Sequence, residues 1–317
     1  MDTLLLHSIT PDDVASAARI LRRGGLVAFP TETVYGLGAI ASNEAAVQQI
    51  FAVKGRPSGV PLILHVANLE MASRYVQRVD PRAALLANKF WPGPLTFVLR
   101  RAQQVSLVVT GGGETVAVRA PAHPAAMALI DAAGEGIAAP SANRHGDLPP
   151  VRAEQVFQGL GGAIDAVLDG GRSPGGLEST VLDLTQSTAR VLRRGAVSIA
   201  ALRAWIIVED APHAPPAPVE LQGAWLSAVR AAAIATAILP DERTGLLLRT
   251  VSRSIANGTS GVVARGMPLD PEGYASELYD ALHELQADGC TRVMVEALPE
   301  EGEWDAVRDR VARLARG

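Results

Sequence analysis

The chain has 317 residues, of which 48% are hydrophobic and 20% are charged, and its formal net charge is -4. This composition is typical of a globular protein of about two domains, and the acidic balance argues against a protein that coats nucleic acid through a global basic field. Cys290 is the single cysteine, so this chain can form neither an internal disulfide nor a cysteine-based metal site.

The N-terminus and the hydropathy pattern predict a cytoplasmic protein. The opening "MDTLLLHSITPDD" lacks the basic segment and the long apolar run of a signal peptide. No uncharged apolar stretch reaches ~18 residues, so we expect no membrane-spanning helix and no membrane partner. A lone cysteine suits the reducing cytoplasm, and we interpret Cys290 as a small buried apolar residue rather than a nucleophile.

Short apolar runs alternate with helix-period segments through the first two hundred residues. "TPDDVASAARILRRGG" predicts a helix that Thr10 caps and Pro11 begins, and "SNEAAVQQIFAVKG" predicts a second helix capped by Ser42 or Asn43. Further along the chain, the predicted strands are "LVAFP", "PLILHV", "LTFVLR", "TVAVRAP", "GIAAPSA" and "AVLDGG", and the predicted helices are "DPRAALLANKFW", "HPAAMALIDAAG" and a short helix between the last two strands. "STVLDLT" and "ARVLRRG" predict a final β-hairpin. This interleaving predicts an α/β domain with a largely buried sheet.

The amino-acid composition of the chain changes near residue 209. "EDAPHAPPAPVE" contains four prolines in twelve residues, which is typical of a stiff, extended linker. Beyond it, "TGLLLRT", "SGVVARG" and "TRVMVEAL" predict strands, and "DPEGYASELYDALHELQADG" and "EWDAVRDRVARLARG" predict amphipathic helices. We therefore predict a domain over residues 1–207, a linker over 208–220, and a smaller α/β domain over 221–317.

Two stretches in the first domain carry side chains suited to a ligand. "PTETVYGLG" places small hydroxyls beside glycines at the end of a buried strand, where open α/β sheets bind small polar ligands. A polar turn with Tyr35 packed on the core explains this motif equally well. "KGRPSGV" holds Lys54 and Arg56 beside a proline turn. The two cations can grip a polyphosphate, or they can belong to a solvated turn.

Three further stretches repeat this mixture of polar and apolar residues. In "ETVAVRAP", Thr115 and Arg119 share one face of a strand, and an arginine there needs an anionic partner in the protein or in a ligand. In "APSANRHG", Ser141 and Asn143 can bond a sugar or phosphate, or make an Asx-turn. In "GGLESTVLDL", the glycines allow the backbone to approach closely near Ser179. No Walker A, dinucleotide-binding or zinc motif is present.

The order of these motifs is more specific than any one of them. With "PTETVYGLG", "KGRPSGVPLILHV", "WPGPLTFVL", "VAVRAP", "APSAN" and "ESTVLDL" in succession, the chain resembles the YrdC/Sua5 family of threonylcarbamoyl-AMP synthases over about residues 8 to 200. The K-x-R and S-x-N pairs are that family's signature. The segment after the linker is similar to the Sua5 C-terminal domain. The resemblance implies a YrdC-like twisted mixed sheet with helices and a smaller, Rossmann-like C-terminal α/β domain.

The resemblance also implies an activity, that of a nucleotidyltransferase. Family members condense L-threonine, bicarbonate and ATP into threonylcarbamoyl-adenylate and pyrophosphate, and tRNA-modifying transferases then move the threonylcarbamoyl group to adenosine 37 of ANN-decoding tRNAs. Mg²⁺ is expected to accompany ATP with few protein ligands. No general base is evident, and whether the protein binds tRNA directly stays open.

By similarity, each of the ten site residues has a role. Lys54 and Arg56 are the expected catalytic residues, since cations stabilise the charge that develops on the phosphates. The expected ATP contacts are Lys54, Arg56, Thr115, Ser141, Asn143 and Arg193. The expected threonine contacts are Thr33, His65, Arg119 and Ser179, with Arg119 pairing the carboxylate.

Departures from the family pattern leave alternatives. The linker has His213 but lacks the tyrosine of the family's His-Tyr-x-Pro element, so we expect weaker ATP affinity and some uncoupled ATP hydrolysis. Pro149 and Val60 stand where relatives often carry polar residues. The alternatives are an RNA-binding module of the same fold, a carbamoyl-transfer domain of the kind embedded in larger proteins, and a regulatory protein that binds nucleotide without turnover.

Overall fold

The computed structural model describes residues 2–7, 10–210, 225–229, 243–250 and 261–314. These residues fall into two compact units, each with a sheet of its own. The first unit contains nearly all of the described residues up to 210, and the second contains those that follow, together with residues 146–148 and 175–177. Of the predicted linker, Val208–Asp210 forms a strand, and the rest lies outside the described residues.

In the first unit, eleven strands form one mixed sheet. In chain order they are β1 Leu4–His7, β2 Val27–Phe29, β3 Gly36–Ile40, β4 Ile63–His65, β5 Leu95–Arg100, β6 Thr115–Arg119, β7 Ile137–Ala139, β8 Ala166–Asp169, β9 Thr180–Asp183, β10 Ala189–Arg193 and β11 Val208–Asp210. Their order across the sheet is β1-β8-β2-β3-β7-β4-β6-β5-β9-β10-β11, with parallel and antiparallel neighbours. The predicted twisted mixed sheet and the β9–β10 hairpin are confirmed.

The helices of this unit are α1 Pro11–Arg22, α2 Glu44–Lys54, α3 Leu69–Ser73, α4 Pro81–Phe90, α5 Leu107–Thr110, α6 Pro124–Ala133, α7 Ala153–Leu160 and α8 Ile199–Arg203. The predicted helices α1, α2, α4, α6 and α7 are confirmed, whereas α3, α5 and α8 were not predicted. Thr10 is the N-cap of α1, and the Asn43 side chain accepts a hydrogen bond from the Ala46 backbone N–H at 3.1 Å at the start of α2. Across the described parts of the chain, no helix combines the length and apolar character needed to cross a bilayer.

Strand β3 is central to the sheet, yet the sequence did not predict it. Its two glycines, Gly36 and Gly38, lower strand propensity and make the segment look like a polar turn. A Cβ on Gly38 would lie 2.6 Å from Ile137 and 2.8 Å from the Phe29 ring. Because glycine leaves this space open, large side chains of the neighbouring strands fill it, and β3 becomes fully buried.

Strand register brings the site residues together. β4 and β6 are parallel, with His65 paired to Arg119, and β5 and β6 are antiparallel, with Arg100 paired to Thr115. β9 runs parallel to β5 on its other side, which places Ser179 just before the first paired residue of that strand. Residues more than 100 positions apart in the chain therefore meet on one face of the sheet.

The second unit contains a four-stranded, all-parallel sheet. Its strands are β12 Trp225–Val229, β13 Thr244–Leu248, β14 Val262–Gly266 and β15 Arg292–Glu296, in the order β12-β15-β13-β14. Its helices are α9 Pro271–Ala287 and α10 Asp305–Leu314, preceded by a 3-10 turn at Gly302–Trp304. The predicted strands β13 to β15 and both helices are confirmed, whereas β12 was not predicted. Cys290 is buried, as expected, and burial raises the pKa of its thiol.

Candidate active site

A cavity of about 450 Å³ lies within the first unit, against the face of its sheet. Eight of the ten predicted site residues line it: Thr33, Arg56, His65, Thr115, Arg119, Ser141, Ser179 and Arg193. Thr115 and Arg119 both face the cavity, as the alternation of strand side chains predicted. They are four residues apart on β6, so the cavity extends over roughly 13 Å at the usual rise of a strand.

One end of the cavity is built around Arg119. This arginine is only 3% exposed, and its Nη1 donates a hydrogen bond to Thr33 Oγ1 at 3.1 Å. Its Nη2 lies 2.6 Å from Oε1 of Glu32 in an ion pair whose N–H is not aligned with that oxygen. Its Nε–H has no acceptor among the described residues. The guanidinium is therefore anchored by the protein but retains donors for a ligand.

The hydroxyl of Thr33 has a defined hydrogen-bonding capacity. Thr31 Oγ1 donates to the Val34 carbonyl at 2.7 Å and contacts Thr33 Oγ1 at 2.8 Å. Thr31 Oγ1 also accepts from the backbone N–H groups of Thr33 at 3.1 Å and Val34 at 3.2 Å, and either hydroxyl can supply the proton between Thr31 and Thr33. Thr33 Oγ1 also accepts from Arg119, so one hydrogen-bonding position of this hydroxyl remains for a ligand.

Ser179 has a comparable capacity. Its Oγ contacts Thr96 Oγ1 at 2.7 Å and accepts from Arg193 Nη2 at 2.9 Å, and Arg193 Nε also donates to the Ser179 carbonyl at 3.0 Å. Either hydroxyl of the Thr96–Ser179 pair can donate, and in both cases one hydrogen-bonding position of Ser179 Oγ remains. Thr33 and Ser179 thus each offer one hydrogen-bonding position to the same cavity.

His65 lies beside Arg119 as a neutral imidazole. It is buried, and burial together with the weaker influence of the Arg119 charge lowers its pKa to about 3. The ring packs edge-to-face on Phe29, with 5.8 Å between ring centroids. Its Nδ1 has no hydrogen-bond partner within the described ranges. His65 can therefore exchange a hydrogen bond with a ligand but carries no charge near pH 7.

Arg56 and Arg193 are two cations of the cavity lining whose charges influence each other. Burial, and to a lesser extent the charge of Arg193, lower the pKa of Arg56. Burial and then the charges of Arg56 and Lys54 likewise lower the pKa of His145. Three arginines line the cavity against one glutamate, Glu178. Such an excess of positive charge in a confined space favours an anion.

Lys54 and Asn143 are not part of the cavity lining. Lys54 ends helix α2, is only 3% exposed, and donates from Nζ to the Ser141 carbonyl at 2.5 Å and to the Asn143 carbonyl. The Asn143 side chain donates to the Arg144 carbonyl at 2.8 Å. Lys54 thus holds the segment that carries Ser141, and its charge lies behind that segment.

We expect replacement of Lys54 by methionine to reduce both stability and activity. The two carbonyls would lose a charged donor, which should lower the free energy of unfolding by roughly 1–3 kcal/mol. The released segment should then displace Ser141. Urea unfolding and a turnover assay on the same preparations test this, and lost activity with unchanged stability would instead favour direct phosphate contact by Lys54.

Gly195 allows the close packing that places Ser179. A Cβ at Gly195 would lie 2.3 Å from the Glu178 carbonyl oxygen and 2.5 Å from backbone atoms of Ser179 and Thr180. Backbone cannot yield as the tip of a side chain can. The glycine is therefore required for the segment after β10 to approach residues 178–180.

Substitution of Gly195 by alanine should destabilise the protein by about 1–3 kcal/mol, since it overpacks a rigid contact. Gly159, in α7, is the matched control, because a Cβ there meets no atom within 4 Å. Differential scanning calorimetry should show a lower Tm for G195A and an unchanged or higher Tm for G159A. Equal Tm values for the two variants would contradict the role given to Gly195.

The site residues provide few side-chain ligands for a metal ion. No group of three or more His, Cys, Asp and Glu side chains suited to a metal ion occurs in the described part of the chain. The carboxylate in the cavity lining is that of Glu178. This donor set fits a Mg²⁺ that is held mainly by phosphate oxygens and water.

Sequence reasoning missed three functional-site residues. Thr96 is a polar residue within the apolar strand "LTFVLR", Glu178 precedes Ser179, and Glu32 stands between the two threonines of "PTETVYGLG". The signals were present but weak, because each residue type is common on exposed turns or strand edges. Only the fold shows that Thr96 is buried against Ser179 and that Glu32 reaches Arg119.

Comparison with known proteins identifies the family. A family model for Sua5, YciO and YrdC proteins, described as "Telomere recombination", matches residues 19–195. The chain belongs to the Sua5/YciO/YrdC family. A second model, described as "Threonylcarbamoyl-AMP synthase, C-terminal domain", matches residues 211–315. The family resemblance inferred from the motifs is confirmed.

Relatives of this Sua5/YciO/YrdC protein cover it to different extents. It is 35% identical to a threonylcarbamoyl-AMP synthase of Bacillus subtilis (strain 168) over 98% of this chain and 95% of that protein. It is 49% identical to a threonylcarbamoyl-AMP synthase of Pyrococcus abyssi (strain GE5 / Orsay). That match covers 58% of this chain and about half, 54%, of the relative.

A solved structure extends the likeness to the whole fold. The crystal structure of P. abyssi Sua5 complexed with L-threonine superposes with a TM-score of 0.84 at 34% identity, covering 99% of this chain and 98% of that one. The architecture predicted for a Sua5-type protein, with a large mixed sheet and a second small sheet, is thereby confirmed.

Proposed function

We propose that this protein is a threonylcarbamoyl-AMP synthase, a nucleotidyltransferase that condenses L-threonine, bicarbonate and ATP. The observation that carries the proposal is one cavity that combines two kinds of group. A buried arginine and hydroxyls with unused hydrogen-bonding positions lie next to a cluster of cations, of which Arg193 contacts Ser179 directly. The names of the relatives and the threonine bound to P. abyssi Sua5 support the same activity.

The Arg119 end suits L-threonine. The unpaired Nε–H of Arg119 is a donor for the substrate carboxylate, as an arginine fork prefers. The substrate hydroxyl, which can both donate and accept, can use the remaining hydrogen-bonding positions of Thr33 and Ser179. Neutral His65 adds a further hydrogen-bonding group without adding charge.

The Arg56 end suits the phosphates of ATP. Arg56 has a buried Nε without a hydrogen-bond partner in the described residues, and the charge of Arg193 repels it. An anion beside the two guanidinium groups would relieve this repulsion and accept a hydrogen bond from the Arg56 Nε–H. Thr115 and Ser141, which line the same cavity, provide hydroxyls for the nucleotide. Lys54 adds its positive charge from behind the Ser141 segment.

The reaction balances in two steps. The neutral threonine amine attacks the bicarbonate carbon, a carbon–oxygen bond breaks, and water leaves, so that an N-carboxylate forms. An oxygen of that carboxylate then attacks the α-phosphorus of ATP, and pyrophosphate departs with the electron pair of the broken phosphorus–oxygen bond. The arginines stabilise the negative charge as it moves toward pyrophosphate. Holding the amine and ATP in one cavity supplies orientation.

Mg²⁺ fits this proposal as a partner of ATP. Bound to phosphate oxygens, it would neutralise charge on the triphosphate, and the neighbouring Glu178 is the lining carboxylate that can support its water shell. The product is an activated adenylate, which a tRNA-modifying transferase would consume. We place this reaction in the cytoplasm.

Incubation of the full chain with ATP, L-threonine and bicarbonate tests the proposal. Mass spectrometry should detect threonylcarbamoyl-AMP in amounts equal to the pyrophosphate released. Omission of any one substrate is the control and should abolish the product. Binding of ATP without any product under these conditions would contradict the proposed activity and favour a nucleotide-binding regulatory protein.

A further inference from the structure

Glu32 is the one carboxylate in contact with the buried Arg119 within the described residues. Its Oε1 lies 2.6 Å from Arg119 Nη2, and its Oε2 accepts a hydrogen bond from the Ala122 backbone N–H at 2.9 Å. The Glu32 side chain is 13% exposed and is not part of the cavity lining. It therefore contacts the guanidinium without lining the cavity.

This contact joins two separate parts of the chain. Glu32 belongs to the loop between β2 and β3, which also supplies Thr33, whereas Ala122 follows β6 and Arg119. One carboxylate, with an oxygen for each partner, ties the loop to the end of β6. Arg119 also donates to Thr33 in the same loop. The guanidinium is thus held at two points, and its Nε–H is left without a protein acceptor among the described residues.

Burial of a guanidinium without a counter-ion destabilises the folded protein, and such a group would hydrogen-bond to any nearby acceptor. Glu32 satisfies the charge without occupying the cavity, so the remaining donors stay available to a ligand. We propose that Glu32 is a positioning residue of the amino-acid subsite, which fixes the Arg119 guanidinium in the orientation that receives the substrate carboxylate. This inference rests on the proposed function.

The substitution Glu32→Gln is the sharpest probe. A carboxylate accepts at both oxygens, whereas the amide has one oxygen and one NH₂ group. The glutamine oxygen can therefore accept a hydrogen bond from Arg119 or from the Ala122 N–H, but not from both. The other of these two donors would then lie opposite the glutamine NH₂ group. Loss of the orientation of Arg119 should weaken L-threonine binding by about 10- to 100-fold, as small misplacements of binding groups do.

Two ligands separate positioning from a general structural effect. L-threoninol carries a CH₂OH group in place of the carboxylate, so it does not use the Arg119 contact. Titration calorimetry should show that E32Q weakens L-threonine at least 10-fold but weakens L-threoninol less than about threefold, which is the signature of coupling through one contact. The KM for ATP should also change less than about threefold.

Glu135→Gln is the matched control. Glu135 is an exposed glutamate outside the cavity lining, and its carboxylate accepts a hydrogen bond from Ser42 Oγ at 2.6 Å. E135Q should leave the affinities for both ligands unchanged. If E32Q folds poorly, Glu32→Asp replaces it, since aspartate keeps the charge but is too short for both partners, and the same difference between ligands is expected.

The outcomes are distinct. Equal weakening of L-threonine and L-threoninol, or an L-threonine Kd within threefold of wild type, would overturn the positioning role while leaving the proposed function intact. A wild-type protein that binds no L-threonine would overturn the proposed function, and this inference with it.

Discussion

With L-valine in place of L-threonine, kcat/KM for formation of the carbamoyl-adenylate should fall by up to ~10⁴-fold. Valine has the size and branching of threonine but lacks the hydroxyl. In its complex, the remaining hydrogen-bonding positions of the Thr33 and Ser179 hydroxyls would be buried without partners. Buried unpaired polar groups carry a large cost, whereas an absent methyl group carries a small one.

L-Serine and the variant Thr33→Val separate these effects. Serine keeps the hydroxyl and lacks the methyl group, so we expect it to lose only about 10- to 200-fold. In T33V, the preference for threonine over valine should shrink, because the protein hydroxyl at this position is gone. The measurement is pyrophosphate release against amino-acid concentration. Equal turnover of threonine and valine by the wild type would remove Thr33 and Ser179 from the proposed amino-acid subsite.

Replacing Arg56 with alanine should lower the rate of pyrophosphate release by about 10²–10³-fold, as removal of a preorganised donor from a charge-stabilising site does. Arg56 lines the cavity and makes one weak protein contact, to the Pro61 carbonyl at 3.3 Å. Its removal should also relieve repulsion with Arg193, so the folded state should not be destabilised. The change should therefore appear in turnover and not in the free energy of unfolding.

The matched control is Arg23→Ala, at an exposed arginine just after helix α1. R23A should keep wild-type turnover. Single-turnover measurements at saturating ATP separate loss of binding from loss of the chemical step. If R56A retains activity within a few-fold of wild type, Arg56 does not grip the phosphates.

Local sequence patterns were sufficient to predict most of the fold. Helix starts at Pro11 and Glu44 follow from proline and asparagine chemistry at helix N-termini. Apolar runs such as "LTFVLR" follow from burial of a strand on both faces. Where glycine is used for close packing, as in β3, local propensity is misleading, because the compensating contacts come from other strands.

For the site, the sequence by itself determined the residue types, and their motif order indicated the family. The strand pattern around Arg119 indicated that this arginine is at least half-buried and needs an anionic partner. It left open whether the protein or a ligand provides that partner. Only the tertiary structure decided that Glu32 does so, and that Lys54 bonds the carbonyls of Ser141 and Asn143. The physical reason is that a hydrogen bond depends on distances of about 3 Å between groups, and strand register and loop packing set those distances for residues far apart in the chain.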